Sequence, residues 1–303
     1  MEYLHKAERG QEPLQAIFWM LGSGLFFSCL NAEIRYLSAA LHPFEIAFFR
    51  NLFGLVFMLP WLWRSGMAGL RTARLKLYAW RTAIGLSSML LSFSALALLP
   101  LNLAVALSFT APLFTTAGAA LVLGEPVRIR RWSATLLGFA GVLVIVRPGA
   151  VPLDLGMLLA IASAALSAAT TLIVKRLSGT ESPNAIVTYM VLLMTPMSLL
   201  PALFVWQMPP VSTWPFLVGL GLAGTLGHLC YVRALRLADA SAILPYDYGR
   251  MILSALIGYL AFAEIPDRWT WIGSAIIAGS VVYIARRESR LARLARRQLA
   301  KSA

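Results

Sequence analysis

Charge is scarce in this chain. Only 13% of its 303 residues are Asp, Glu, Lys or Arg, about half the roughly 25% usual for a soluble domain, and the acidic residues number just 13. No stretch has the composition of a sizeable soluble domain. Three scattered histidines are too few for a metal cluster, so no metal site is expected. The two cysteines, Cys29 and Cys230, both fall inside apolar runs and indicate neither a disulfide nor a metal ligand set. His-Glu-x-x-His is missing, and no serine or cysteine has a credible base in a recognisable motif; Gly22-Ser23-Gly24 lacks such a context. The reading is therefore not an enzyme, with no catalytic residue and no cofactor. A Walker-type phosphate loop is also lacking, which argues against ATP as an energy source.

What the chain has is apolar surface. It is 59% hydrophobic, with a mean hydropathy of +0.74. Runs of about 18–22 apolar residues recur along it, each able to cross a hydrocarbon core of about 30 Å. Ten can be placed, at about 14–36, 43–63, 77–98, 103–123, 132–148, 155–175, 184–206, 215–236, 243–263 and 269–286. The expected fold is all-α and integral to the membrane, with ten transmembrane helices and the lipid bilayer as its first partner.

The net charge of +13 raises the question of nucleic acid, but the basic residues sit in short connections and the C-terminal tail, where they set topology. No nucleic-acid partner is expected. Arg35, Arg147 and Arg268 are the only ones on one side, and Arg50, Arg81 and Arg250 lie within spans, so the other 20 of 26 fall on the opposite side. That bias places both termini in the cytoplasm. Glu2, Glu8 and Glu12 before a full-length first span do not resemble a cleaved signal peptide. The tail from Arg286 alternates Arg with Leu291, Leu294 and Leu299 at helical spacing, as expected of a segment lying on anionic lipid.

The chain also restates itself. A shift of 139 residues lays Ala95-Leu96 on Ala234-Leu235, Glu125 on Glu264 and Trp132 on Trp271; at 140, Leu37-Ser38 meets Leu177-Ser178 and Pro43 meets Pro183. Five spans per copy is odd, so the copies insert with opposite orientation. Three regions follow: 1–150 as the first repeat, 151–287 as the second, and 288–303 as a basic cytoplasmic tail. Inverted repeats build a substrate site near the bilayer midplane and permit alternating access, so a carrier is the leading architectural reading.

Polar residues inside spans face protein or a wet cavity, because lipid penalises them. Span nine carries Pro245, Tyr246, Asp247, Tyr248 and Arg250. Proline frees a carbonyl locally, the tyrosines suit stacking and hydrogen bonding, and Asp247 and Arg250 are spaced to pair across a turn. Such a pair either braces the helix or meets ligand or proton. Span four is more apolar, with Asn102, Ser108, Thr110 and Pro112, and supplies shape through Phe109 and a proline kink. In span two, Arg50 beside Glu45 and Asn51 either snorkels or faces the cavity. Arg81 reads as snorkelling, and Glu33 and Arg35 as interfacial. In span eight, Gly221, Gly224 and Gly227 mark a face of close helix approach. There His228 is a packing residue or a proton sensor, with Tyr231 near it. Ser88, Ser92, Ser163, Ser167 and Thr171 form small polar stripes of the kind that pack helices.

Ten spans as a 5+5 inverted repeat, Gly124-Glu125-Pro126 after span four, Ala263-Glu264 after span nine and Phe48-Phe-Arg50 in span two together resemble the EamA branch of the drug/metabolite transporter superfamily over nearly the whole chain. Within it, Leu41-His-Pro-Phe-Glu-Ile-Ala-Phe-Phe-Arg50 and Asp239-Ala-Ser-Ala-Ile-Leu-Pro-Tyr-Asp-Tyr248 resemble the S-adenosylmethionine uptake carriers of intracellular bacteria. The branch also includes exporters of amino acids, carriers of riboflavin and exporters of metal-chelating metabolites. Met251 departs from the family pattern where span four has Pro112.

The expectation is a multi-pass secondary transporter of the bacterial inner membrane, moving a small polar or zwitterionic organic metabolite (amino-acid-like, nucleoside-like or vitamin-like) by alternating access. Its substrate-binding residues would be Arg50, Asn51, Phe109, His228, Tyr231, Tyr246, Asp247, Tyr248 and Arg250, with a proton as the candidate coupling ion. The rival readings are an exporter of a metal-chelating or amino-acid-derived metabolite and, from another class, a membrane scaffold or regulator that transports nothing.

Overall fold

The computed structural model describes residues 13–122, 129–147, 154–238, 243, 246, 247, 249–263, 268, 269, 271–273, 275, 276 and 279. The chain runs as α1 (Pro13–Leu37), α2 (Pro43–Ser65), α3 (Leu75–Leu98), α4 (Leu101–Ser108), α5 (Ala111–Val122), α6 (Ile129–Val146), α7 (Leu155–Ser178), α8 (Pro183–Leu203), α9 (Trp214–Leu237) and α10 (Gly249–Phe262), with short 3₁₀ turns at Met67–Leu70 and Val211–Thr213. Among the described residues there is no strand. A helix satisfies its backbone N–H and C=O groups within its own segment, as a chain must where no water can reach them.

Six helices are long and apolar enough to cross a membrane, at Leu14–Leu37, Pro43–Ser65, Leu75–Leu98, Leu155–Ser178, Pro183–Leu203 and Val211–Leu237. They match predicted spans one, two, three, six, seven and eight. Shorter apolar helices lie at Thr135–Val144 and Gly249–Phe262. Predicted span four is two helices, because the chain turns at Phe109 and Thr110 between α4 and α5. Pro112 then falls in the first turn of α5, where its missing N–H costs nothing. The continuous helix of predicted span nine starts only at Gly249. Pro245, Tyr248, Glu125, Glu264 and the basic tail lie outside the described residues.

On α1 the exposed row is Leu14, Phe18, Leu21 and Leu25, while Ala16, Met20, Ser23, Leu30 and Ile34 are buried. Both sets repeat at helical spacing, and the apolar outer row is the side a membrane helix offers to lipid. The starts of α2 and α8 are built alike: Pro43 and Pro183 each occupy the first turn, behind the capping side chains of His42 and Ser182. The most extensive pairings are α1 with α9, α3 with α7 and α2 with α8. Two apolar cores result. One joins Ile34, Leu37, Ile46, Leu101 and Leu217 at one end of the bundle. The other joins Met20, Tyr78, Leu177, Ile186 and Leu235 at the opposite end.

Candidate functional site

Between these cores the middle turns of the helices line a cavity of about 230 Å³, somewhat below the roughly 300–1,000 Å³ of drug-sized ligand sites. Phe27 and Asn31 of α1, Arg50 of α2, Met190 and Met194 of α8, and His228 and Tyr231 of α9 line it. The α3 stripe Arg81, Gly85, Ser88 and Ser92 supplies one wall, and Ser163, Ser167 and Thr171 of α7 face it. Ser108 and Thr115 border the broken helix pair α4–α5, and Asp247 and Arg250 close the site.

Arg50 is 3% exposed. Its Nη1 donates to Asn51 Oδ1 at 2.9 Å, and Asn51 Nδ2 donates to Ser198 Oγ at 3.2 Å, so α8 holds the amide that holds the guanidinium. Gly224 makes the room: a Cβ there would lie 2.8 Å from Arg50 Nε. Of the two readings of Arg50 in the sequence, the cavity-facing one describes its position.

Arg81 departs from expectation. It does not snorkel; it is 2% exposed and lines the cavity. Tyr78, one turn earlier, is fully buried and stacks on Tyr189 with ring centroids 4.3 Å apart, closing the outward route. The Arg81 Nη2 lies 2.8 Å from Met190 Sδ, a weak acceptor, and Nε and Nη1 have no hydrogen-bond partner.

At the opposite wall, Arg250 Nη2 lies 3.4 Å from Asp247 Oδ2 and 3.4 Å from Ser108 Oγ. Its guanidinium carbon is 5.0 Å from the Phe109 ring centroid and 5.8 Å from that of Phe27, within cation–π range. Asp247 Oδ1 has no hydrogen-bond partner. The pair thus braces the helix start and also borders the cavity. Phe27 meets His228 edge-on at 5.0 Å, and the Tyr231 hydroxyl is 2.8 Å from Thr171 Oγ1.

Of the residues singled out in the sequence, Arg50, His228, Tyr231, Asp247 and Arg250 come together around the cavity. Asn51 stands behind Arg50 and positions it. Phe109 is fully buried beneath Arg250 and is not on the wall. Tyr246, 3% exposed, packs in the core with Met20 and Ile243 rather than on the cavity. It adjoins Asp247 in a 3₁₀ turn, where neighbours point roughly 120° apart, so only one of them faces inward. Tyr248 lies outside the described residues. The polar stripes divide: Ser88 and Ser163 exchange hydrogen bonds with each other's backbone carbonyls at 2.9 and 2.8 Å, clamping α3 to α7, while Ser92, Ser167 and Thr171 border the cavity. Arg35 donates to the carbonyls of Leu96 and Ala97 at the end of α3. The signal for Arg81 was present in the sequence, since Arg81, Gly85, Ser88 and Ser92 fall on one helical face.

The EamA-like transporter family model matches residues 14–147 and again 154–286. This chain belongs to that family. It is accordingly a multi-pass membrane transporter of a bacterial family and not an enzyme. A riboflavin transporter of Vibrio cholerae is 37% identical over 286 residues, covering 93% of this chain and 96% of that protein. An S-adenosylmethionine uptake transporter of Rickettsia bellii is 30% identical over 268 residues, covering 88% and 92%. A crystal structure superposes with a TM-score of 0.75 at 21% identity, covering 91% of this chain and 97% of the other, which shows a shared fold.

Proposed function

We propose that this chain is a secondary transporter that moves a small polar or zwitterionic organic metabolite of the vitamin, nucleoside or amino-acid class across the bacterial inner membrane by alternating access. The observation that carries the reading is the cavity between two apolar cores that a buried Arg50 and the Asp247–Arg250 pair both line. The names of the riboflavin and S-adenosylmethionine relatives fit a heteroaromatic or zwitterionic ligand of this kind.

The chain spans the membrane ten times as an inverted 5+5 repeat, with both termini cytoplasmic. Exchanging spans one to five with six to ten turns the α1–α9 pairing into α3–α7 and returns α2–α8 to itself, and these are the bundle's most extensive pairings. The matching proline-led starts of α2 and α8 and the two family matches support the same reading. Arg50 meets a carboxylate or other acceptor on the substrate, Tyr231 and His228 offer hydrogen bonds and an aromatic edge, and Asp247 takes an amine or the coupling proton.

Proteoliposome uptake and counterflow of riboflavin, S-adenosylmethionine and amino acids test this. Wild-type protein is expected to give saturable flux of at least one, with Arg50→Ala and Asp247→Asn each lowering it at least tenfold. Unchanged flux in both variants would overturn the site, and absence of any flux would favour a scaffold.

A further inference from the structure

The cavity has an unequal charge count. Arg50, Arg81 and Arg250 line it, and among the described residues Asp247 is the one carboxylate that does. Asp247 is already engaged by Arg250 at 3.4 Å. Arg50 has a neutral partner, the Asn51 carboxamide. Arg81 rests one nitrogen on a methionine sulfur and leaves Nε and Nη1 without hydrogen bonds, although it is 2% exposed. A guanidinium cannot shed its charge at any ordinary pH, and charges held inside a membrane protein are paired or mark a ligand path. Two cations on adjacent helices, α2 and α3, therefore face one cavity without an acid between them.

We infer that Arg50 and Arg81 form a two-pronged site for an anionic group, a carboxylate or phosphate, which completes the cavity when bound. The geometry is specific to the first half of the chain. At the 140-residue offset Arg50 corresponds to Met190, and at 139 Arg81 corresponds to Leu220, so the second half supplies apolar surface where the first supplies charge. The stripe below Arg81 adds a neutral donor, Ser92, and the Gly224 gap keeps the Arg50 guanidinium against α9. Planar guanidinium forks match carboxylate and phosphate oxygens. The anion is either borne by the transported molecule, opposite a body lying toward Phe27 and Tyr231, or is a free inorganic ion that enters with it. The inference rests on the transporter reading for its place in a cycle, but the binding chemistry stands on the two arginines alone.

Paired probes separate the sources. Riboflavin 5′-phosphate against riboflavin, and S-adenosylmethionine against its decarboxylated form, differ by one anionic group each. If the anion belongs to the substrate, the anionic member of at least one pair binds purified full-length protein at least tenfold more tightly, and Arg81→Met removes most of that difference while Arg81→Lys restores part. If the anion is free, binding of riboflavin itself rises with inorganic phosphate at constant ionic strength, and Arg81→Met abolishes the rise. A thermal-unfolding readout needs no flux. Phosphate raises the melting temperature of wild-type protein, and Arg81→Met is as stable as wild type without phosphate, or more so, and insensitive to it. Equal binding within both pairs, together with no phosphate effect on riboflavin binding or on melting, overturns the inference. Because melting is read without transport, failure of the transporter reading leaves this outcome decidable.

Discussion

The two ends of the α2–α8 pair are closed by different chemistry. At one end Glu45, fully buried, accepts from the backbone N–H of Gln207 at 2.7 Å and from that of His42 at 3.2 Å. Phe48, Phe49, Trp206 and Trp214 pack around it with ring centroids 5.3–5.8 Å apart. At the other end the half-buried Glu181 accepts from Thr72 Oγ1 at 2.9 Å and from the Tyr78 hydroxyl at 3.5 Å. Tyr189 donates to the carbonyl of Leu70 at 2.5 Å beside its stack on Tyr78. Opening the first end separates the buried Glu45 carboxylate from the Gln207 N–H and takes the aromatic cluster apart, while the His42 capping bond stays within α2. Opening the second exchanges partly solvated hydrogen bonds for water. If the halves rock against each other as proposed, the Glu181 end is the one that yields at lower cost, and on the proposed topology it faces the cytoplasm.

The largest effect is expected at Glu45. Glu45→Ala removes the acceptor for the His42 and Gln207 N–H groups and half of the capping box of α2. Both bonds are part-buried and run to a carboxylate, where a hydrogen bond contributes about 1.5–3 kcal/mol, so the loss is on the order of 3 kcal/mol, read as a lower melting temperature in detergent and reduced flux. Glu45→Gln keeps an acceptor and should fall between that variant and wild type. A Glu45→Ala protein as stable as wild type would remove the contrast between the ends.

Next comes Gly221, where α9 crosses α2 between the ends. A Cβ there would sit 2.9 Å from the Phe53 carbonyl carbon and 3.0 Å from the Gly54 nitrogen, which are backbone and cannot swing away. Gly221→Ala should cost about 1–3 kcal/mol through overpacking. It should also lower flux, because displacing α9 moves His228 and Tyr231 away from Arg50. Loss of stability without any change in substrate affinity would separate packing from site geometry.

Much of this was legible in the chain itself, and the rest has identifiable reasons for being hidden. Apolar run length locates the long helices because each carries its own signal over more than twenty residues. Arg50, Asp247 and Arg250 stand out since lipid leaves few reasons for charge in a span. The place of Arg81 is hidden from the sequence because distance from a helix end measures the reach to water only if the way is open, and Tyr189, from another helix, stacks on Tyr78 across it. Tyr246 looked equivalent to Asp247 until the rotation of a 3₁₀ turn assigned one to the core and the other to the cavity. The end closures could not be read locally at all: Glu45 and Gln207 are 162 residues apart, and Thr72 and Glu181 are 109 apart.

The smallest energetic effect, and the sharpest test of the contrast, belongs to Thr72. Thr72→Val keeps the shape and removes the hydroxyl that donates to Glu181. A partly exposed hydrogen bond contributes about 0.5–1.5 kcal/mol, so melting should change by little. The conformational balance should still move, because about 1.4 kcal/mol is tenfold in an equilibrium constant. In a background with Cys29 and Cys230 replaced by alanine, Ser167→Cys places a thiol on the cavity wall. Thr72→Val should speed its labelling by a membrane-impermeant maleimide several-fold from the cytoplasmic face and not from the other. Faster labelling from the opposite face instead would mean that the Glu45 end is the one that opens, and that its buried carboxylate has a new partner when it does.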